Sequence, residues 1–258
     1  MAAVAALLDT RGALQSLRRS LPPPARRLCA CRSPQALRRT LGTRLLDAVV
    51  VGHRALRSPE LLAFRTQFPA LPVVVYGAFR PDDGALLLRL EDAGSVAAIA
   101  VEGVDDAVVG EMVRAETLSA RRRAALSQAP RLLRLTDGIQ RRTWDVLVAG
   151  SSWRLGTQEL AARLDLSREH LSRQFAAGGA PNLKRVIDFL RIVTAAQLLT
   201  NPGYDLITVA RLLGFSTVSH LHAMARRTAG QPAARLGSLA PPEILAAFVR
   251  VGTRSRRE

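Results

Sequence analysis

"TQELAARLDLSREHLSRQF", residues 157–175, holds two short helical patterns on either side of a tight turn. Thr157 reads as a helix cap with Glu159 in the first turn, and Leu160, Ala161 and Leu164 form one apolar stripe. "LDL" then turns the chain and Ser167 caps a second helix, whose Leu171 and Phe175 lie one turn apart on the inner side. Glu169, Ser172 and Arg173 fall on the opposite side, with Ser167 and Arg168 at the helix start. Two short helices joined this way, the second with a polar outer face, have the form of a helix-turn-helix. The second helix of such a unit enters a major groove, where Arg173 can reach guanine O6 and N7.

The pattern returns about fifty residues later in "LITVARLLGFSTVSHLHAMARR" (206–227). Ile207, Val209, Ala210 and Leu213 make the first apolar stripe, Gly214 the turn, and Ser216 the cap, with Thr217 beside it. Val218, Leu221 and Ala225 face inward. Ser219, His220 and Ala223 face outward, and Arg226 and Arg227 follow. His220 and His222 lie two apart, about 200° around a helix axis, so they cannot share a metal ion. His222 turns back toward the packed side. Between the units, "NLKRVIDFLRIVTAAQLLT" (182–200) predicts a helix about 25 Å long. Such a connector can hold two recognition helices about one DNA turn, ~34 Å, apart.

These residues carry a family resemblance. The stretch 157–236 resembles the DNA-binding domain of AraC/XylS transcriptional regulators through Leu160-Ala161, "LSRQF" (171–175), the run Arg191, Ala195, Leu198 and Leu199, Val209-Ala210, "GFST" (214–217) and Gly230. The resemblance implies sequence-specific promoter binding through two helix-turn-helices. It implies base-facing roles for Glu169, Ser172 and Arg173 in the first, and for Ser219, His220 and Ala223 in the second. Three departures stand out: Leu221 and Ala225 replace aromatic core positions, Ala223 replaces a base-reading arginine, and the closing Pro232 falls one place early. The second reader is thus expected to be the less selective, with Arg226 and Arg227 on phosphates, which carry no sequence code.

The first half has a different grammar. Apolar runs at 2–8, 27–31, 47–51, 72–77 and 96–101 alternate with amphipathic segments. Ser33-Pro34, Ser58-Pro59 and Pro81-Asp82 are helix starts, and Gly94 is a helix end. Five strands alternating with helices predict a parallel sheet covered on both faces, and the valine-rich runs fit buried central strands. The expected fold is therefore an α/β N-terminal domain, receiver- or flavodoxin-like, followed by an all-α domain with two helix-turn-helix units.

The predicted divisions are a domain over 1–126, a linker and first helix over 127–150, the double helix-turn-helix over 151–240 and a basic tail over 241–258. Arg121–Arg123 reads as a solvated helix end. The α/β half resembles the receiver domain of response regulators in architecture. Gly52 stands where the phosphate-accepting aspartate is expected, Gly77 in place of Ser or Thr, and Val101 and Glu102 in place of Lys. A degenerate module without Asp-phosphorylation follows, used for dimerisation or for sensing. Parallel sheets bind ligands at the carboxyl ends of their strands. Asp9, Gly52, His53, Gly77 and Glu102 gather there, with the glycines leaving either room or ordinary turns and His53 alone in its loop.

Of 37 basic residues only Lys184 is lysine, and with 21 acidic residues the chain carries +16. The excess is denser in the helical half, with 18 basic and 12 acidic residues over 1–129 and 19 and 9 over 130–258. Double-stranded promoter DNA is the partner this charge favours. A homodimer through the first half is expected, and contact with RNA polymerase is compatible with the reading. Cys29 and Cys31 share a strand face and lack zinc-ligand spacing, so no metal site or cofactor is expected.

No apolar run reaches the ~20 residues that span a bilayer. "MAAVAALLD" lacks the basic start of a signal peptide, so a cytoplasmic location is expected. No nucleotide-binding or nucleophile-elbow motif supports catalysis. Two alternatives stay open: a reactive Cys29 or Cys31, flanked by Arg26, Arg27 and Arg32, and a basic nucleoid-associated protein without sequence choice.

Overall fold

The computed structural model describes residues 3–21, 27–55, 58–85, 87–88, 96–150 and 157–254. It divides into two compact units, Met1–Ala120 with Asn201–Gly203, and Arg121–Thr200 with Tyr204–Glu258.

In the first unit β1 (Ala3–Leu7), β2 (Leu28–Ala30), β3 (Leu46–Val51), β4 (Val73–Gly77) and β5 (Ala98–Val101) form one sheet in the order 2-1-3-4-5. Every pair is parallel. This is the flavodoxin-like winding, with its switch point between β1 and β3. Alternate strand residues Val4, Ala6, Ala48, Val50, Val74, Tyr76 and Ala100 form one core with residues of α1 (Arg11–Ser20) and a later helix, α4 (Val109–Glu116). The intervening Ala5, Val49, Val51, Val73 and Val75 are equally buried, as are Leu37 and Leu41 of α2 (Pro34–Thr43) and Phe64 of α3 (Pro59–Gln67). A strand buried on both faces needs side chains that are apolar at every position, hence the unbroken valines.

The predicted helix starts hold at Ser33, whose hydroxyl accepts from the Ala36 amide, and at Ser58 before Pro59. Pro81–Asp83 is a 3-10 turn. Gly94 and Arg26 lie outside the described residues.

The second unit is helical: α5 (Leu118–Ala125), which spans the border between the units, then α6 (Ala129–Leu132), α7 (Gly138–Val148), α8 (Thr157–Ala162), α9 (Arg168–Ala176), α10 (Leu183–Leu199), α11 (Leu206–Leu213), α12 (Val218–Ala229) and α13 (Pro241–Arg254). Twelve of the 17 residues of α10 are buried, which makes it the axis of this unit.

Two sequence expectations change here. Residues 241–254 are not a tail: Ile244, Leu245 and Phe248 recur at helical spacing and are buried, with Phe248 stacked on Phe189 at 4.9 Å. Arg122 is not solvated either. It is 3% exposed and donates to the Val148 and Gly150 carbonyls, Thr194 Oγ1 and Gln197 Oε1.

Candidate nucleic-acid interface

α8 and α9 form the first helix-turn-helix. Leu160 and Ala161 on α8, and Leu171 and Phe175 on α9, are buried, as the spacing predicts, and Leu164 in the turn is half-buried. Thr157 is the first residue of α8 rather than its cap. Asp165 makes the turn with a φ of 55°, a left-handed conformation that Asp tolerates better than most residues. Ser167 caps α9 and accepts from the His170 amide at 3.1 Å. Ser167, Arg168, Glu169, Ser172 and Arg173 are all exposed, so the predicted contact set lies together on the open side of α9. From behind, the buried Gln140 of α7 donates to the carbonyls of Gln174, Phe175 and Ala177 at the C-terminal end of α9. Sequence pattern gave no sign of this: a glutamine in a helix says nothing of which carbonyls it meets.

α11 and α12 form the second unit. α11 starts at the Asp205 cap and ends at Gly214, whose φ of 71° lies in the left-handed region that glycine adopts without steric cost. Thr217, not Ser216, caps α12, accepting from the His220 amide at 3.0 Å. The hydroxyl of Ser216 meets His220 Nδ1 instead, at 3.2 Å. Ile207 was expected on the buried stripe and is 68% exposed, and Leu212 is buried with Val209, Ala210 and Leu213. Leu221 and Ala225 are buried as expected, but Val218 is only half-buried and Met224 joins the core.

Ser216, Thr217, Ser219, His220, Ala223, Arg226 and Arg227 are exposed. His222 is half-buried, its Nδ1 accepting from the Ala233 amide, so it belongs to packing. The Arg227 guanidinium, exposed as it is, lies 3.3 Å from the buried Asp188 carboxylate, which leaves Arg226 the freer cation.

Arg191 of α10 holds the second turn. Its Nη2 donates to the Leu213 and Gly214 carbonyls at 3.1 and 2.9 Å, and its guanidinium sits 4.1 Å from the Phe215 ring centroid. Asp188 lies 3.9 Å from its Nη1. α10 therefore connects the two units and also anchors the turn of the second.

At the carboxyl ends of β1 and β3 the predicted cluster does assemble, but its space is filled. A Cβ at Gly52 would fall 2.4 Å from Asp9 Oδ2, and one at Gly77 would fall 3.1 Å from His53 Nδ1. His53 is not alone: Nδ1 lies 3.1 Å from Asp9 Oδ2, at ion-pair distance though without hydrogen-bond alignment. Asp9 also accepts from the Arg54 amide, and Glu102 accepts from Thr10 Oγ1 at 2.9 Å. A side chain at 52 would thus require the Asp9 carboxylate to move.

Cys29 and Cys31 are free thiols. Burial raises the Cys31 thiol above its ordinary range, only partly offset by its bond to Thr40, which disfavours a thiolate there. Cys29 Sγ lies 3.4 Å from Arg44 Nη1. No group of three or more metal-ligating side chains occurs among the described residues, and none of their helices is long and apolar enough to cross a membrane.

Residues 160–237 match the family described as "Helix-turn-helix domain". The match assigns a helix-turn-helix domain to this stretch and supports a DNA-binding transcription regulator. The described site at 167–227 lies within the matched stretch. Among solved structures, full-length FixJ from B. japonicum is similar at 17% identity, covering 92% of this chain and 98% of that chain, with a TM-score of 0.36. No match is found among curated proteins.

Proposed function

We propose that this chain is a sequence-specific regulator of the AraC/XylS type, reading two successive major grooves of promoter DNA with α9 and α12. The observation that carries this is the pairing of two capped helices whose outer residues are exposed, joined by α10, 17 residues and so about 25 Å long. Glu169, Ser172 and Arg173 meet bases in the first groove, and Ser219, His220 and Ala223 face the second. Ser167, Arg168, Ser216, Thr217, Arg226 and Arg227 lie alongside as phosphate contacts. The α/β unit serves dimerisation or sensing. It does so without an acyl phosphate, since position 52, where the acceptor carboxylate is expected, is glycine.

Footprinting of the full chain on its own upstream DNA at several salt concentrations tests this. Two protected segments one helical turn apart, resistant to competitor DNA, are expected. Uniform protection that vanishes with salt would mean binding without sequence choice. Arg173→Ala is expected to weaken the specific complex by about 1–3 kcal/mol, measured by titration of that footprint.

A further inference from the structure

We propose that His220 is the base-reading side chain of α12, and that Arg191 and Phe215 are positioning residues that set its ring without touching DNA. The inference rests on the proposed double helix-turn-helix reading and deepens it. Ala223 stands six residues after the cap Thr217, as Arg173 stands six after the cap Ser167. Alanine has no polar atom to offer a base. Ser219 is short, so of the three residues facing the groove, Ser219, His220 and Ala223, His220 alone combines reach with a hydrogen-bonding group.

The backbone of His220 is held by one contact and its ring by two. Its own amide donates to the cap hydroxyl of Thr217. Its Nδ1 meets Ser216 Oγ at 3.2 Å, and its plane stands at 89° to Phe215 with ring centroids 5.4 Å apart. Phe215 is 6% exposed and lies beneath the Arg191 guanidinium, which grips the Leu213 and Gly214 carbonyls. A continuous set of contacts therefore runs from the buried axis α10, through Arg191 and Phe215, to an exposed imidazole. Holding that ring before binding lowers the entropy lost when it meets a base.

Nδ1 is engaged by Ser216, so Nε2 is the nitrogen offered outward. With the Ser216 hydroxyl donating to Nδ1, the proton resides on Nε2, and Nε2–H donates to a purine N7 in the major groove. The second reader thus selects through one short, rigid donor where the first uses a long arginine.

The test uses the full chain and a duplex that it selects from a random pool. Purines in the half bound by α12 are replaced singly by their 7-deaza analogues. One position is expected to lose about tenfold in affinity with the wild type and to lose nothing further with His220→Ala. Phe215→Leu and Arg191→Lys are expected to abolish most of that tenfold discrimination while protection of the α9 half persists. A deaza penalty that survives His220→Ala, or that stays whole in both Phe215→Leu and Arg191→Lys, overturns the proposal.

A DNA-independent readout is nitrogen NMR of the free chain in mildly alkaline buffer. A bare Nδ1 and a protonated Nε2 are expected at His220, and averaging of the two in Ser216→Ala. An averaged ring in the wild type overturns the positioning even if specific binding stands. Failure to select any sequence overturns the base-reading role together with the proposed function.

Discussion

Single side chains mark where burial and chemistry part company in this chain. Arg122 belongs to the run "RRR" at 121–123, yet it alone of the three is buried, because its guanidinium satisfies four oxygens of the helical unit. Arg122→Met keeps the apolar stem and strands those acceptors, so a loss of about 2–4 kcal/mol is expected in denaturant unfolding. Arg123→Met, at an exposed position, serves as the control and should change little.

The thiols divide in a similar way. Burial raises the Cys31 pKa, so near pH 8 its thiolate fraction stays below that of an ordinary thiol and grows only as the pH climbs further. Iodoacetamide followed by mass spectrometry should modify the half-exposed Cys29 before Cys31. Modification of Cys31 first would point to an activated thiol and to the rival, enzymatic reading.

Among the described elements, α1 and α4 approach closely at Gly110. A Cβ at Gly110 would fall 2.2 Å from the Ser20 carbonyl oxygen, which is backbone and cannot swing aside. Alanine has the better helix propensity by about 1 kcal/mol, so a solvent-facing Gly110 would gain from the change. Here Gly110→Ala is expected to lower stability by about 1–3 kcal/mol, because the helices must separate. Thermal unfolding with a probe confined to the first unit would show it.

The helical unit has its own pins. Gln140 holds the end of α9 and Arg191 the end of α11, each taking carbonyls that a short helix leaves without partners. Helices as short as these are not stable alone, and such side chains fix their angles.

For the molecule as a whole, the charge of +16 favours polyanionic partners such as the phosphates of DNA. Arg226→Ala is expected to reduce the dependence of log K on log salt by about one unit of slope. Arg227→Ala should reduce it less, since Asp188 already lies against that guanidinium. Equal reductions would mean that Arg227 leaves Asp188 when DNA binds.

Much of this architecture was legible without coordinates. Unbroken valine runs announce strands buried on both faces. Caps such as Ser33 and Ser167 announce helix starts, and the i, i+4 pair Leu171 and Phe175 marks the inner side of α9. Those signals are local, since they depend on one residue and its neighbours within a turn of helix or a pleat of strand. The same pattern misplaced Ile207, because a stripe on a helix of two turns is too short to define a face. It took 241–254 for a tail because scattered arginines masked Ile244, Leu245 and Phe248.

What only tertiary structure decided is which distant groups meet: Asp9 in the space of Gly52, Gln140 at the end of α9, Arg122 within the helical unit, and Arg191 over Phe215. Periodicity reports that a side chain is buried or exposed. It carries no record of the partner, because a buried polar group is satisfied by any donor or acceptor the packing brings within reach. The sequence by itself thus determined most of the elements and the exposed faces of α9 and α12, and the packing of α10 decided what holds the turn before α12.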